Sequence, residues 1–322
     1  MSRINPNPML LGVVLVGLSA SGCAPKPAAD TAASSMSSTA SVQQLTFATP
    51  EDAATALHNA AATEDFAYLR QIFGPELPEL GSGDEIEDRQ ELRAFASAMS
   101  YRRDIVRNAD GTATIVLGRN DIDFPVRLIQ VDGGEANGRW MFDSLDGVER
   151  MKDLRVGFGE LRTIAFLRAL PAAQAEYIAV DWNGDGVRTY ASKLRSGDGS
   201  FDGLWWPPGP GVPTPPLGPF AAQGDVSTQA SPTRGYNGYF FRLLTAQGPG
   251  APGGARSFVR DGRLVDGWAV VAFPSTYDET GVMTFIMGPE GTVYEKDLGP
   301  DTGTLVESIT VYDPAGWTPA QP

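Results

Sequence analysis

The stretch Tyr101–Asp143 decides the fold class. It opens with Tyr101-Arg102-Arg103-Asp104-Ile105-Val106-Arg107 and turns at Asp110-Gly111. It continues through Thr112-Ala113-Thr114-Ile115-Val116-Leu117, then Phe124 to Val131, then Trp140 to Asp143, with Gly133-Gly134 before the last run. Short runs rich in β-branched and aromatic residues, separated by Asp-Gly and Gly-Gly, predict an antiparallel meander.

Three helices are expected ahead of it. Thr49-Pro50-Glu51-Asp52 supplies a cap, a first-turn proline and two acids at the positive end of a helix dipole. Ala53, Leu57 and Ala60 follow as a stripe. Thr63-Glu64-Asp65 starts a second helix with Phe66, Leu69, Ile72 and Phe73 inward, ended by Gly74-Pro75. Glu87 to Met99 reads as a third, through Leu92 and Phe95. Helices followed by a meander make an α+β layer. This order looks like a ketosteroid-isomerase-type cone over about residues 46–145.

Beyond the meander, Leu154 to Val180 is expected to be a long helix. Leu161, Ile164, Leu167, Leu170, Gln174 and Ile178 lie near one face, with Pro171 expected to kink or break it. A loop-rich stretch over 181–235 follows. Strands return at Gly238 to Leu244, Gly267 to Phe273, Gly281 to Met287 and Thr292 to Lys296, with turn signals at Asp261-Gly262 and Glu290-Gly291. Asp301-Thr302 is placed to cap a last helix through Leu305 and Ile309. The expected class is α+β in two subdomains, 45–150 and 151–322, each with helices packed on an antiparallel sheet.

The first 44 residues read differently. Arg3 precedes the apolar run Met9–Leu18, and Ser19-Ala20-Ser21-Gly22 lead to Cys23, the only cysteine. A membrane-spanning helix needs about 20 apolar residues, and this run is about half that. It suits a secretory signal over 1–22. The small residues ahead of Cys23 resemble a bacterial lipoprotein signal, with Ala20 where that pattern usually has Leu. The alternative is an ordinary cleaved signal with an incidental cysteine. The resemblance implies acyl chains on Cys23, and Ala24 in place of Asp implies the periplasmic face of a Gram-negative outer membrane. Residues 23–44, rich in Ser, Ala and Thr and without apolar periodicity, read as a disordered tether.

Composition sets further bounds. The formal net charge is -14. Cleavage before Cys23 removes only Arg3, giving about -15. Such a field repels phosphate backbones and argues against nucleic acid as a partner. With Cys23 acylated, no thiol remains for a disulfide, a nucleophile or a metal. His58 is the sole histidine; it reads as a partly exposed helix residue, and no histidine-based metal site is available. No phosphate-binding glycine loop precedes a helix.

Two constellations remain. Asp181-Trp182-Asn183-Gly184-Asp185-Gly186 matches the front of a calcium loop, with Asp181, Asn183, Asp185 and the Val187 carbonyl as oxygen ligands. Its twelfth position is Ser192 where such loops carry a bidentate Glu, and Asp198 or Asp202 is placed to complete the shell. The alternative is a turn in which Asp and Asn accept from backbone amides. Trp205 and Trp206, with Asp198 and Asp202, are the candidate ligand-binding residues, offering indoles to a glycan or peptide. In the alternative one Trp plugs the core and the other covers the proline-rich loop of Pro207, Pro208, Pro210, Pro213, Pro215 and Pro216. Glu295 and Asp297 share a strand face opposite Lys296, a pattern more typical of a solvated face than of acid–base chemistry.

The stretches Asp198–Pro207, Gly238-Tyr239-Phe240-Phe241-Arg242, Leu244–Pro249, Gly281–Ile286 and Val293–Gly299 resemble the bacterial domain-of-unknown-function family 2950, over about Phe47 to Asp313. That resemblance implies no activity and transfers no catalytic residue. The second half also looks like the globular head of type IV pilins, although the membrane-spanning helix of pilins is replaced here by a signal, a tether and another domain. The leading expectation is a lipid-anchored, non-enzymatic envelope binding or assembly factor with calcium as its candidate ion. The alternative is a periplasmic hydrolase using carboxylates of the long loop on glycan or peptide.

Overall fold

The computed structural model describes residues 43–80, 85–218 and 235–321. The signal, Cys23 and the tether as far as residue 42 lie outside the described residues, as do 219–234 of the long loop. The fold is α+β, with helices and predominantly antiparallel sheets. The chain divides into two compact units at Leu154/Arg155.

In the first unit α1 (Pro50–Ala62) begins as its sequence dictates: the Thr49 hydroxyl accepts from the Asp52 amide at 3.1 Å, with Pro50 in the first turn. Ala53, Leu57 and Ala60 are buried. α2 (Phe66–Phe73) is capped by Asp65, which accepts from the Tyr68 amide at 3.0 Å, and stops at Gly74, whose φ of 75° suits glycine. α3 (Glu85–Tyr101) follows.

The meander comprises β1 (Arg103–Arg107), β2 (Ala113–Leu117), β3 (Ile122–Asp123), β4 (Leu128–Gln130) and β5 (Trp140–Phe142), in the order β1-β2-β4-β5 with β3 also on β2. Its core is aromatic. The Phe142 ring lies 5.1 Å from Phe73, 6.3 Å from Phe124 and 6.4 Å from Phe47.

α4 (Ser144–Ile178) carries the chain from one unit into the next. It starts ten residues before the expected Leu154. Asp143, read from sequence as a strand end, accepts from the Asp146 amide at 3.3 Å and so initiates the helix. A side chain at Gly147 would meet Val126 at 2.8 Å, so glycine allows the first turns to pack closely. The helix runs through Pro171 without breaking. A proline in a helix interior costs about 3 kcal/mol. Leu167, Leu170, Ala173 and Tyr177 are all buried here, and large apolar side chains contribute about 1.5–3 kcal/mol each. Burial therefore wins. Leu161, expected inward, is exposed.

The second unit contains structure where a loop was expected: β6 (Lys193–Arg195) and β7 (Gly203–Trp205) pair in parallel. After β8 (Tyr239–Leu244) come the short β9 (Ala246–Gln247), β10 (Arg256–Ser257), β11 (Val259–Arg260) and β12 (Arg263–Leu264). The β11–β12 hairpin turns on Asp261 and Gly262, with φ of 51° and 74°, as its Asp-Gly signal requires. β13 (Ala269–Pro274), β14 (Met283–Met287), β15 (Val293–Asp297) and β16 (Thr318–Pro319) complete a five-stranded antiparallel sheet, ordered β16-β15-β14-β13-β8. The last helix is shorter than expected. α5 (Thr302–Leu305) gives way to a 3-10 turn at Val306–Ser308, and Asp301 makes no side-chain cap bond.

Register sets Phe241, Ala272, Phe285 and Glu295 side by side across this sheet. The Phe166 ring of α4 lies 4.9 Å from Phe241, so this face looks toward the helix. On the opposite face Arg242 donates to the carbonyls of Val306 and Ile309 at 2.5 and 2.9 Å.

Candidate functional site

Most of the chemistry-bearing residues singled out in the sequence fall between the end of α4 and β7. Gln174 organises this segment. Its side chain is fully buried; its carbonyl oxygen accepts from the Ala191 amide at 2.9 Å and its amide donates to the Ala191 carbonyl at 3.1 Å. A polar residue in an apolar stripe was the signal for this clasp.

The segment between the clasp residues is a turn. Asp181 accepts from the Gly184 and Gly186 amides at 3.0 and 2.8 Å, one on each oxygen. Asn183 accepts from the Asp185 amide at 3.2 Å, and Asp185 from the Val187 amide at 2.9 Å. The second Asp185 oxygen meets the Arg263 guanidinium at 2.8 Å and the Asn183 side-chain amide at 2.9 Å. The Val187 amide bond is the largest influence on Asp185 and draws its pKa down, against burial; Asn183 and Arg263 add to the lowering. The loop offered for calcium thus directs its carboxylates to its own amides, and its cationic partner is Arg263. The Asp181, Asn183, Asp185 and Val187 set does not fit calcium well. Among the described residues no group of three or more His, Cys, Asp or Glu side chains is placed to hold a metal ion.

Asp202 is likewise engaged. It accepts from the Gly197 amide at 3.0 Å and the Ser200 hydroxyl at 2.7 Å, and it pairs with the Lys193 ammonium. Burial pushes its pKa up, but Lys193, Ser200 and Gly197 together outweigh it and bring the carboxyl down to about 2. Such a group is a poor general acid or base near neutral pH. Asp198, its expected companion, is exposed.

The sign of the Asp202 shift gives a prediction. A folded pKa below the unfolded value stabilises above the unfolded pKa and is lost as pH falls through the folded one. Asp202→Asn is therefore expected to cost about 1 kcal/mol at neutral pH, after allowing for solvent screening. The cost should shrink as pH falls from about 4 toward 2. Urea melts at three pH values check this; a cost that does not change with pH would contradict it.

Trp205 and Trp206 are 4% and 2% exposed. The Trp206 indole donates to the Pro213 carbonyl at 2.7 Å and its ring lies 4.9 Å from both Trp182 and Phe201. The Arg195 guanidinium lies 5.2 Å from the Trp205 ring centroid. The indoles are core residues, so the glycan or peptide platform expected of them is not built at these positions. Asp198 and Asp202 gain no aromatic partner for ligand binding from them. Burial and aromatic packing account for the Trp-Trp pair.

Sequence reading missed a carboxylate pair on the helix-facing side of the sheet. Glu160 of α4 accepts from the Val282 and Met283 amides, both at 2.9 Å, through one oxygen. Glu295 of β15 has its pKa raised, first by burial and then by the charge of Glu160. Nearby Tyr239 is buried and donates to the Met283 carbonyl at 2.9 Å, and its phenol is pushed up chiefly by burial. This cluster pins the start of β14 to the helix. The only signal in the sequence was Glu295 itself, and its partner lies far away in the chain. Asp297, expected on the same face, accepts from the Gly299 amide at 2.7 Å. In the first unit His58 shares a 2.8 Å hydrogen bond with Ser100, whose hydroxyl donates to the Ala96 carbonyl at 2.9 Å.

A family model described as a protein of unknown function, DUF2950, matches residues 44–320. The chain belongs to the DUF2950 family. This agrees with the resemblance read from the Gly238–Arg242 and Gly281–Ile286 stretches, which supply most of β8 and β14. No curated protein and no solved structure shows a significant match. The pilin-head likeness of the second half is therefore not confirmed, and family membership assigns no reaction.

Proposed function

We propose that the protein is a lipid-anchored periplasmic protein, held at the outer membrane by acyl chains on Cys23, that acts as a non-enzymatic envelope binding or assembly factor. The observation that carries the reading is the apolar run Met9–Leu18 ending in small residues and the only cysteine, followed by a Ser/Ala-rich tether. Several acyl chains anchor stably where one is marginal. Among the described residues no helix is long and apolar enough to cross a membrane. The hydrolase alternative gains no support from the long-loop side chains. Asp181, Asp185 and Asp202 hold amides and cations of their own segment, and the indoles fill the core.

Cys23→Ser is expected to move the protein from the membrane pellet to the soluble periplasmic fraction and to abolish incorporation of labelled palmitate. Membrane attachment that survives the substitution would refute the anchor.

A further inference from the structure

We infer that the proline loop Pro207–Thr214 is a docking element for a partner protein that presents tryptophan or tyrosine side chains in a groove. This inference names the kind of partner for the binding role proposed above and rests on that reading.

The loop reads Pro207-Pro208-Gly209-Pro210-Gly211-Val212-Pro213-Thr214, and every one of these residues is exposed. Its ends are held in the core. Trp206 precedes it and is buried; after it, buried Leu217 donates its amide to the Leu204 carbonyl at 3.0 Å. The loop is also closed on itself. The Trp206 indole donates to the Pro213 carbonyl at 2.7 Å, and the Val212 amide to the Gly209 carbonyl at 3.1 Å. Pro210 and Gly211 form the middle of that turn, with Gly211 at a φ of 75°, the pattern of a type II turn. Each proline fixes its own φ. The loop is therefore preorganised, and little conformational entropy is left to lose on binding.

Chemistry selects the partner. No charged residue stands between Asp202 and Asp225, so the loop has no ion pair to offer. Thr214 carries its only polar side chain. Prolines bring no N–H, so the backbone offers more acceptors than donors. A matching surface supplies flat apolar faces for the pyrrolidine rings and N–H or O–H donors for the carbonyls. Indole and phenol side chains supply both from one group, and grooves lined by them are the surfaces on which proline-rich segments dock.

Other occupants fail on one of the two requirements. A lipid interior offers apolar contact but no donor, and would leave the loop's carbonyls unsatisfied. A glycan brings donors but needs polar side chains or exposed rings to hold it, and Trp205 and Trp206 beside the loop are buried. A second copy has no aromatic groove to offer. Its Trp140, Trp205, Trp206 and Trp268 are buried, and Trp182 and Trp317 pack against the core of the second unit. Among the described residues Tyr101 is the only exposed aromatic side chain, and the Arg119 guanidinium stacks on it at 4.7 Å.

The test puts the photo-crosslinking residue p-benzoylphenylalanine in place of Val212, which is 39% exposed, in the full anchored chain, and irradiates isolated envelopes. The expected product is an adduct with another envelope protein, joined at a peptide that contains Trp or Tyr. Replacing the exposed pair, Pro207→Ser with Pro208→Ser, should lower its yield at least about fivefold. Raising salt from about 0.05 to about 0.5 M should leave the yield unchanged, because no charge takes part. Melting curves confirm folding; should the double variant not fold, Pro208→Ser alone decides. No adduct, an adduct with lipid, glycan or a second copy, a joined peptide without Trp or Tyr, or a yield that ignores the prolines or falls with salt would overturn the inference. The same crosslinker at Leu305, 45% exposed in the same unit, separates the two readings. Protein adducts from Leu305 with none from Val212 would overturn the loop and leave a binding role standing, and the anchor is tested apart by the Cys23 fractionation.

Discussion

Gln174→Leu is expected to destabilise the second unit by about 2–4 kcal/mol. Two buried backbone groups, the Ala191 amide and carbonyl, take both ends of the Gln174 side chain. Leucine matches its volume but offers neither a donor nor an acceptor. An orphaned buried polar group costs about 1–3 kcal/mol. The additional apolar burial returns about 1–2 kcal/mol, so the loss of two bonds dominates. Gln174→Glu separates the contributions: it keeps an acceptor for the amide but sets a buried carboxylate against the carbonyl. Its cost should fall with acidification, since a protonated carboxyl restores the donor. Urea unfolding gives both values. A loss below about 0.5 kcal/mol for the leucine variant would mean that the segment from Asp181 to Ala191 is not held by this clasp.

The parts of the fold that were legible in the sequence are those set by local rules. Thr49-Pro50 and Asp65 start α1 and α2, and Gly74 stops α2, because caps and positive φ act within a few residues. Asp261-Gly262 makes its hairpin for the same reason. Where local and distant demands competed, the sequence was misleading. Pro171 looks like a break, but the burial around it is decided by a sheet formed more than 60 residues later. Asp143 suits a strand end and a helix cap equally well, and the polar residues after it hid the first turns of α4. The parallel pair β6–β7 was invisible because three-residue strands carry no periodicity. Its requirement is a glycine: a side chain at Gly203 would come within 2.5 Å of the Arg195 and Ser196 backbone.

The candidate site divides along the same line. The spacing from Asp181 to Gly186 correctly places oxygens in a tight loop, but spacing alone does not distinguish a cation from backbone amides. Here Arg263, supplied by the β11–β12 hairpin, pairs with one oxygen of Asp185 and the Val187 amide donates to the other. Trp205 ends β7 and Trp206 follows it, and both side chains are buried. The Trp206 ring packs against Trp182 and Phe201, and the Arg195 guanidinium lies over the Trp205 ring. The Glu160–Glu295 pair was beyond reach, because it depends on which helix face meets which strand.

Phe142→Ala is expected to have an effect at least as large, about 3–5 kcal/mol, in the first unit. Phe142 is fully buried in β5 and touches the Phe73, Phe124 and Phe47 rings. Those rings come from α2, the segment before β4 and the N-terminal bridge to Trp140, so one side chain joins elements distant in the chain. Truncation removes the transfer free energy of the ring and leaves a cavity that rigid neighbours cannot fill. Aromatic pairs add about 0.5–1.5 kcal/mol beyond the area they bury. Phe142→Leu keeps most of the volume and loses the ring contacts, so it should cost less than half as much. Hydrogen exchange read by peptide should show lost protection in α2, β4 and β5 of the alanine variant, with the leucine variant intermediate. Equal costs for leucine and alanine would mean that the ring contacts dominate over filled volume; a cost below about 1 kcal/mol for alanine would mean that the unit is not built around Phe142.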